Sequence, residues 1–130
     1  GAYTALVSGG FTAFTQPVSQ HLGLHEHHAN QLLVDQGVVT GQVSDPILGQ
    51  QAKVEALERL IAQLSITAQD VLAVGDGAND LGLLQRAGSG VALHAKPSVA
   101  AQCDIRINHG DLTALLFIQR YPRSAFRTAI

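Results

Sequence analysis

The sequence predicts an α/β domain of three layers, with helices packed on both faces of a mainly parallel sheet. Three observations carry this. Short apolar runs of strand length, Tyr3-Thr4-Ala5-Leu6-Val7, Val71-Leu72-Ala73-Val74, Gly90-Val91-Ala92-Leu93 and Ile105-Arg106-Ile107, alternate with longer segments. Between Gln50 and Leu64, apolar Val54, Leu57, Ile61 and Leu64 recur at helical spacing, with Glu55, Glu58 and Arg59 left for the opposite face. Polar, glycine-punctuated turns follow two of the runs, at Ser8-Gly9-Gly10 and at Gly75-Asp76-Gly77-Ala78-Asn79-Asp80.

Taken in order, the first run should be a buried strand ending at Ser8-Gly9-Gly10. The segment from Phe11 to Leu22 follows as helix, interrupted or restarted near Pro17. His25-Glu26-His27-His28 misses the zincin spacing, because Ala29 stands where the second histidine belongs, and it reads as a solvated loop or helix end. Gln31-Leu32-Leu33-Val34 and Val38-Val39-Thr40 flank Asp35-Gln36-Gly37 as a hairpin, and Asp45-Pro46 marks a turn. Leu81, Leu84 and Ala87 form a helix face with Gly88 as its carboxyl-terminal cap. Pro97 opens a short helix, and Asp111 or Asn108 starts the last one around Leu112 to Phe117. Arg120, Arg123 and Arg127 then make a solvated basic tail.

Composition narrows the function. At 130 residues with 46% hydrophobic content the chain is the size of one domain, residues 1–130, and can bury a core. A net charge of −2 with eight Lys plus Arg leaves no basic footprint, so no nucleic-acid partner is expected. No apolar run approaches the roughly 20 residues that cross a bilayer, so no membrane partner is expected. The single Cys103 excludes an internal disulfide framework; with no secretory signal in view, a cytoplasmic location is expected.

The chemistry concentrates at Gly75-Asp76-Gly77-Ala78-Asn79-Asp80. A loop at the carboxyl end of a parallel strand faces the crevice where ligands bind. Two carboxylates and an amide there suit a hard cation and its phosphate ligand. A dinucleotide fingerprint is excluded by the aspartate at its last glycine position, and a P-loop by the missing Lys-Ser/Thr. A polar turn in which Asn79 or Asp80 caps the next helix is the structural alternative. At Ser8-Gly9-Gly10 the glycines let backbone N–H groups approach an anion, and the Ser8 hydroxyl adds a donor. Lys53 sits near a helix amino end, where a cation is disfavoured unless an anion is close.

Three motifs in order resemble those of the haloacid dehalogenase superfamily of aspartate-nucleophile phosphohydrolases. Leu6-Val7-Ser8-Gly9-Gly10-Phe11-Thr12 resembles the second motif, Lys53 in Gly49-Gln50-Gln51-Ala52-Lys53 the third, and Gly75-Asp76-Gly77-Ala78-Asn79-Asp80 the fourth. Val-Ser-Gly-Gly-Phe, a strand end at Thr40-Gly41, and Val91-Ala92-Leu93-His94-Ala95-Lys96-Pro97 resemble the superfamily's phosphoserine phosphatase branch. The resemblance implies a Rossmann-like core and Mg²⁺-dependent hydrolysis of phosphoserine, a step of serine biosynthesis, through an aspartyl-phosphate. It places Ser8, Gly9 and Asn79 on the phosphate or substrate and Asp76 on Mg²⁺. Lys53 is assigned to charge stabilisation on the phosphoryl group, and Asp80 to orienting Lys53 or metal-bound water.

The first motif, with its nucleophile aspartate, and the cap region after it have no counterpart here, and the chain begins Gly1-Ala2-Tyr3. The expectation is therefore a core truncated at its amino end, inactive by itself. The absent central strand should leave unpaired edges that invite homo-oligomer formation or strand exchange. Two other functions stay open: another small-molecule phosphatase of the superfamily, and a non-catalytic binding module on the same scaffold. A cation-transporting ATPase shares the fourth motif, but Ser8-Gly9-Gly10 and the lack of a membrane segment argue against it.

Overall fold

The computed structural model describes residues 2–44 and 49–127. These form two compact units, residues 1–66 and 67–130, described here separately. The turn expected at Asp45-Pro46 lies outside the described residues.

In the first unit, β1 (Ala5–Phe11) leads through α1 (Thr12–Leu22) to β2 (Glu26–Asn30), which pairs with β1 in parallel. β3 (Leu32–Asp35) and β4 (Val38–Val43) form an antiparallel hairpin, and α2 (Gln50–Leu64) packs on β1. The hairpin turn has φ 49° at Gln36 and 80° at Gly37, the pair of left-handed residues that suits strand twist. Thr40-Gly41 lies inside β4 rather than at a strand end. Gly41 has φ 82° beside the shift in register between Leu32 and Val34.

Three expectations for this unit are corrected. β1 does not stop at Ser8-Gly9-Gly10 but runs through it to Phe11. Val7 to Phe11 is four steps of β1 against two of β2, His28 to Asn30, so β1 bulges over the glycines. Nor is β1 buried: its residues are half-buried or exposed, and β2 is its one strand neighbour among the described residues. α1 is continuous through Pro17. Proline there removes the bond to the Ala13 carbonyl, but both residues are exposed, so water can take its place. Of the histidine cluster, Glu26, His27 and His28 are strand, not loop or helix end, while His25 is an exposed bend just before it. β2 is half-buried and its alternation sends neighbouring side chains to opposite faces, where each finds a distant partner.

α1 and α2 end alike. Gly23 at φ 68° closes α1, and Ser65 at φ 53° closes α2, its N–H donating to the Ala62 carbonyl while the Ile66 N–H donates to that of Ile61.

In the second unit, β5 (Leu72–Gly75), β6 (Ser89–Leu93) and β7 (Ile105–Ile107) form a parallel sheet in the order β5-β6-β7. α3 (Leu81–Arg86) crosses from β5 to β6, and α4 (Pro97–Ala100) from β6 to β7. α5 (Ala114–Ile118) follows. Val91, Ala92, Val99 and Leu84 are buried here, with the central strand covered on both faces as parallel sheets require. The sequence placed these elements correctly. Asp111 accepts the Thr113 N–H at 2.9 Å in the turn that leads into α5, which begins at Ala114, and Arg120, Arg123 and Arg127 are exposed.

Gly88 is the exception. The helix closes at Ala87 in an extended conformation, and Gly88 instead donates to the Ala68 carbonyl at 2.7 Å. A Cβ at Gly88 would lie 2.5 Å from Gln69 Cα, so two backbones meet where the sequence suggested a cap.

Candidate functional site

In the second unit the Gly75-to-Asp80 loop leaves the carboxyl end of β5. After Asp76 a single 3₁₀ turn, Ala78–Asp80, feeds directly into α3. Asp80 is buried and its Oδ2 accepts the N–H groups of Asp76 at 3.1 Å and Gly77 at 3.2 Å. The carboxylate thus closes the loop on itself. Gly75 is required by that packing, since a Cβ there would stand 2.5 Å from Asp80 Cβ. A Cβ on Gly77 would likewise meet Asn79 Oδ1 at 2.7 Å. Asp76 and Asn79 stay exposed beyond the strand end. Of the three polar residues, two are presented to solvent and the third shapes the loop that presents them.

The other side of the Asp76 peptide is held as well. Its carbonyl accepts the Lys96 N–H at 3.3 Å, from the loop between β6 and α4. Periodicity carries no signal for this contact.

In the first unit the bulge of β1 is organised by side chains. Ser8 Oγ accepts the Gly10 N–H at 2.9 Å, bracing the bulged strand across the glycine pair. Asn30, buried at the end of β2, donates from Nδ2 to the Gly9 carbonyl at 3.0 Å. Sequence reading missed Asn30, because only the pairing of β1 with β2 brings it to Gly9. Lys53 lies in the first turn of α2 and is buried, 7% exposed, which for a lysine is unusual without compensation.

The histidine cluster does not join this set. Glu26 Oε1 accepts from Arg59 at 2.8 Å and lies 2.9 Å from His28 Nε2, while Oε2 accepts the Tyr3 hydroxyl at 2.8 Å. Burial opposes ionisation of Glu26, but the bonds from Arg59, His28 and Tyr3 together outweigh it and hold its pKa down to about 2. The same bond to Glu26 raises the Tyr3 hydroxyl. His27 Nδ1 pairs with Thr15 at 2.9 Å, and His25 stacks on Tyr3 at 4.4 Å. These contacts fasten β1, β2, α1 and α2 together.

The sequence pattern of the haloacid dehalogenase-like hydrolases matches residues 1–85, more than half of the chain. The chain belongs to this family. It is 42% identical over 116 residues to a phosphoserine phosphatase of Haemophilus influenzae, covering 89% of this chain and 37% of that protein. It is 40% identical to one of Methanocaldococcus jannaschii, covering 89% of this chain and 55% of that protein. A solved phospho-aspartyl intermediate analogue of phosphoserine phosphatase superposes with a TM-score of 0.82 at 39% identity, covering 88% of this chain and 55% of that one. The α/β Rossmann-like core of the family is therefore the fold of this chain. The chain spans between about a third and a little over half of the length of these relatives.

The donors fit a hard cation in kind: a carboxylate at Asp76 and an amide oxygen at Asn79, both exposed at a strand end. Among the described residues no three His, Cys, Asp or Glu side chains are gathered as a metal cage. A cation held here would take its remaining ligands from water and substrate, as Mg²⁺ commonly does. Among the described residues no helix is long and apolar enough to cross a membrane.

Proposed function

We propose that this chain carries the phosphate- and metal-binding part of a phosphoserine phosphatase that hydrolyses L-phosphoserine to serine and phosphate. The observation that carries the reading is the 40–42% identity to phosphoserine phosphatases over 89% of the chain. It is supported by an Asp76 loop held closed at a strand end. In this reading residues 1–130 belong to one hydrolase domain.

In this reading the bulge at Ser8 and Gly9 binds phosphate oxygens through N–H and hydroxyl donors. Lys53 neutralises charge that grows on the phosphoryl oxygens, and burial strengthens that effect by excluding water. Asn79 contacts phosphate or substrate. Asp76 holds Mg²⁺, assisted by the loop closure that Asp80 provides; Asp80 also orients Lys53 or metal-bound water. The cation, when bound, offsets phosphate charge.

The attacking carboxylate of the aspartyl-phosphate route is none of these. The first aspartate of the chain is Asp35, far past the Ser8 turn, and Asp76 is committed to the cation. The chain alone is therefore inactive. Among the described residues β1 and β5 each have one strand neighbour, so association or strand exchange through their other edges belongs to the same reading.

Phosphate release from L-phosphoserine by the complete protein, with Mg²⁺ and then EDTA, tests the proposal. Asp76→Asn and Lys53→Ala should each lower kcat by about 100-fold or more. Hydrolysis of a sugar phosphate in place of phosphoserine would overturn the substrate and leave the site. Wild-type rates in Asp76→Asn would remove the metal role. Acid-stable phosphoenzyme formed by the pure 130-residue chain would overturn its inactivity.

A further inference from the structure

We propose that His94 is a positioning residue for Asp76, acting through the backbone of the loop it turns; this rests on the assignment of Asp76 to the cation. His94 follows β6 directly and has φ 46°, a left-handed conformation that a side chain with a Cβ rarely adopts. Two bonds hold it there. Its N–H donates to the Ile107 carbonyl at 2.8 Å, and its ring Nε2 lies 2.7 Å from the Gly110 carbonyl oxygen, which can only accept, so Nε2 donates.

The reversal at His94 has a consequence two residues on. The Lys96 N–H points back to the Asp76 carbonyl at 3.3 Å, and the Lys96 carbonyl then accepts the Val99 and Ala100 N–H groups at the start of α4. Asp76 is thus gripped on both sides: its N–H by Asp80 Oδ2, its carbonyl by Lys96. Asp80 is close in sequence and closes the loop locally. The Lys96 grip depends on a strained residue at the end of the neighbouring strand, and the ring bond to Gly110 offsets that strain. An exposed histidine hydrogen-bonded to a distant loop is explained if its task is to fix the peptide that carries Asp76.

Amide hydrogen exchange and ¹⁵N spectra of the 130-residue chain test this. The readout is the exchange rate of the Lys96 amide relative to that of Val91, which is fully buried in β6. In His94→Ala that ratio should rise about tenfold, the effect of losing one ordinary hydrogen bond's worth of local stability. His94→Asn should recover part of it, since asparagine tolerates the left-handed region and keeps a donor. His94→Gly separates the two contributions: it removes the ring and the backbone strain together, and should fall between the wild type and His94→Ala. An unchanged ratio in His94→Ala, equal acceleration of Lys96 and Val91, or a larger rise in His94→Gly than in His94→Ala would each overturn the proposal.

Manganese is the second readout. Mn²⁺ should broaden the amides of residues 76–80 in the wild type, with a midpoint raised about fivefold or more in His94→Ala, because a looser Asp76 peptide must be ordered on binding. A shifted exchange ratio with an unmoved Mn²⁺ midpoint would overturn the link to the cation. Absence of broadening at Asp76 in the wild type would overturn the metal reading of Asp76, while the exchange ratio still decides whether His94 holds the loop.

Discussion

The two units hold a polar, glycine-containing segment, a bulge within β1 in one and the loop after β5 in the other, by different means. In the second unit the chain relies on close backbone approach: Gly75, Gly88 and Gly90 stand where a Cβ would meet another atom at 2.5 Å or less, and Asp80 folds back over the Asp76 loop. Around Ser8 the chain relies on side chains from far away. Asn30 holds Gly9 across 21 positions, and Arg59 reaches Glu26 across 33. The first arrangement is tight and intolerant of added atoms. The second distributes its stability over exposed or half-buried polar contacts that are individually weak and respond to pH.

The sharpest way to break this contrast is Gly90→Ala. Its Cβ would fall 2.1 Å from the Leu84 carbonyl oxygen, a backbone atom with nowhere to yield. Chemical denaturation should show the second unit destabilised by about 3 kcal/mol. A loss below about 0.5 kcal/mol, the level of an ordinary surface change, would mean that the backbone fit is not tight.

Asp80→Ala comes next and acts on the loop itself. It leaves two N–H groups without their carboxylate and should cost about 2 kcal/mol, with the Asp76 and Gly77 amides exchanging faster than the strand amides of β5. If those two amides keep their protection, the loop is closed by something other than Asp80.

In the first unit, Asn30→Ala should cost about 1.5 kcal/mol, since it leaves the Gly9 carbonyl without that donor. Spectral changes confined to residues around the glycine bulge would sharpen the contrast. A collapse of the whole unit would show that the bulge is as rigid as the Asp76 loop.

The smallest effect is expected from Glu26→Gln, about 1 kcal/mol near neutral pH, given that Arg59 is nearly half exposed. Its pH dependence is the more telling measurement. Glu26 has its pKa lowered from 4.5 to about 2, so its contribution is complete above 4.5 and is lost as pH falls toward 2. Between those values the variant should lose less stability than the wild type. Parallel pH profiles would show that Glu26 does not fasten β2 to α2.

The sequence by itself determined most of the second unit and the helices of the first. Val71-Leu72-Ala73-Val74, the glycine loop and the Leu81 helix follow one another within a few residues, and α2 announces itself by Val54, Leu57, Ile61 and Leu64. Period and turn chemistry act over such short spans, and the order of Ser8-Gly9-Gly10, Lys53 and Asp76 was legible as a family pattern for the same reason. Tertiary structure alone decided the rest. Glu26-His27-His28 has no strand signal of its own and joins β2 because Ala5, Leu6 and Val7 offer it a ladder, and Arg59, Thr15 and Tyr3 take its side chains. Gly88 looks like a helix cap until Gln69 is seen against it, and neither Asn30 nor His94 signals locally that it holds a loop elsewhere. Each of these is settled by a partner 12 to 33 positions away, or by a neighbouring strand or loop, and a contact at that range leaves no period in the chain that makes it.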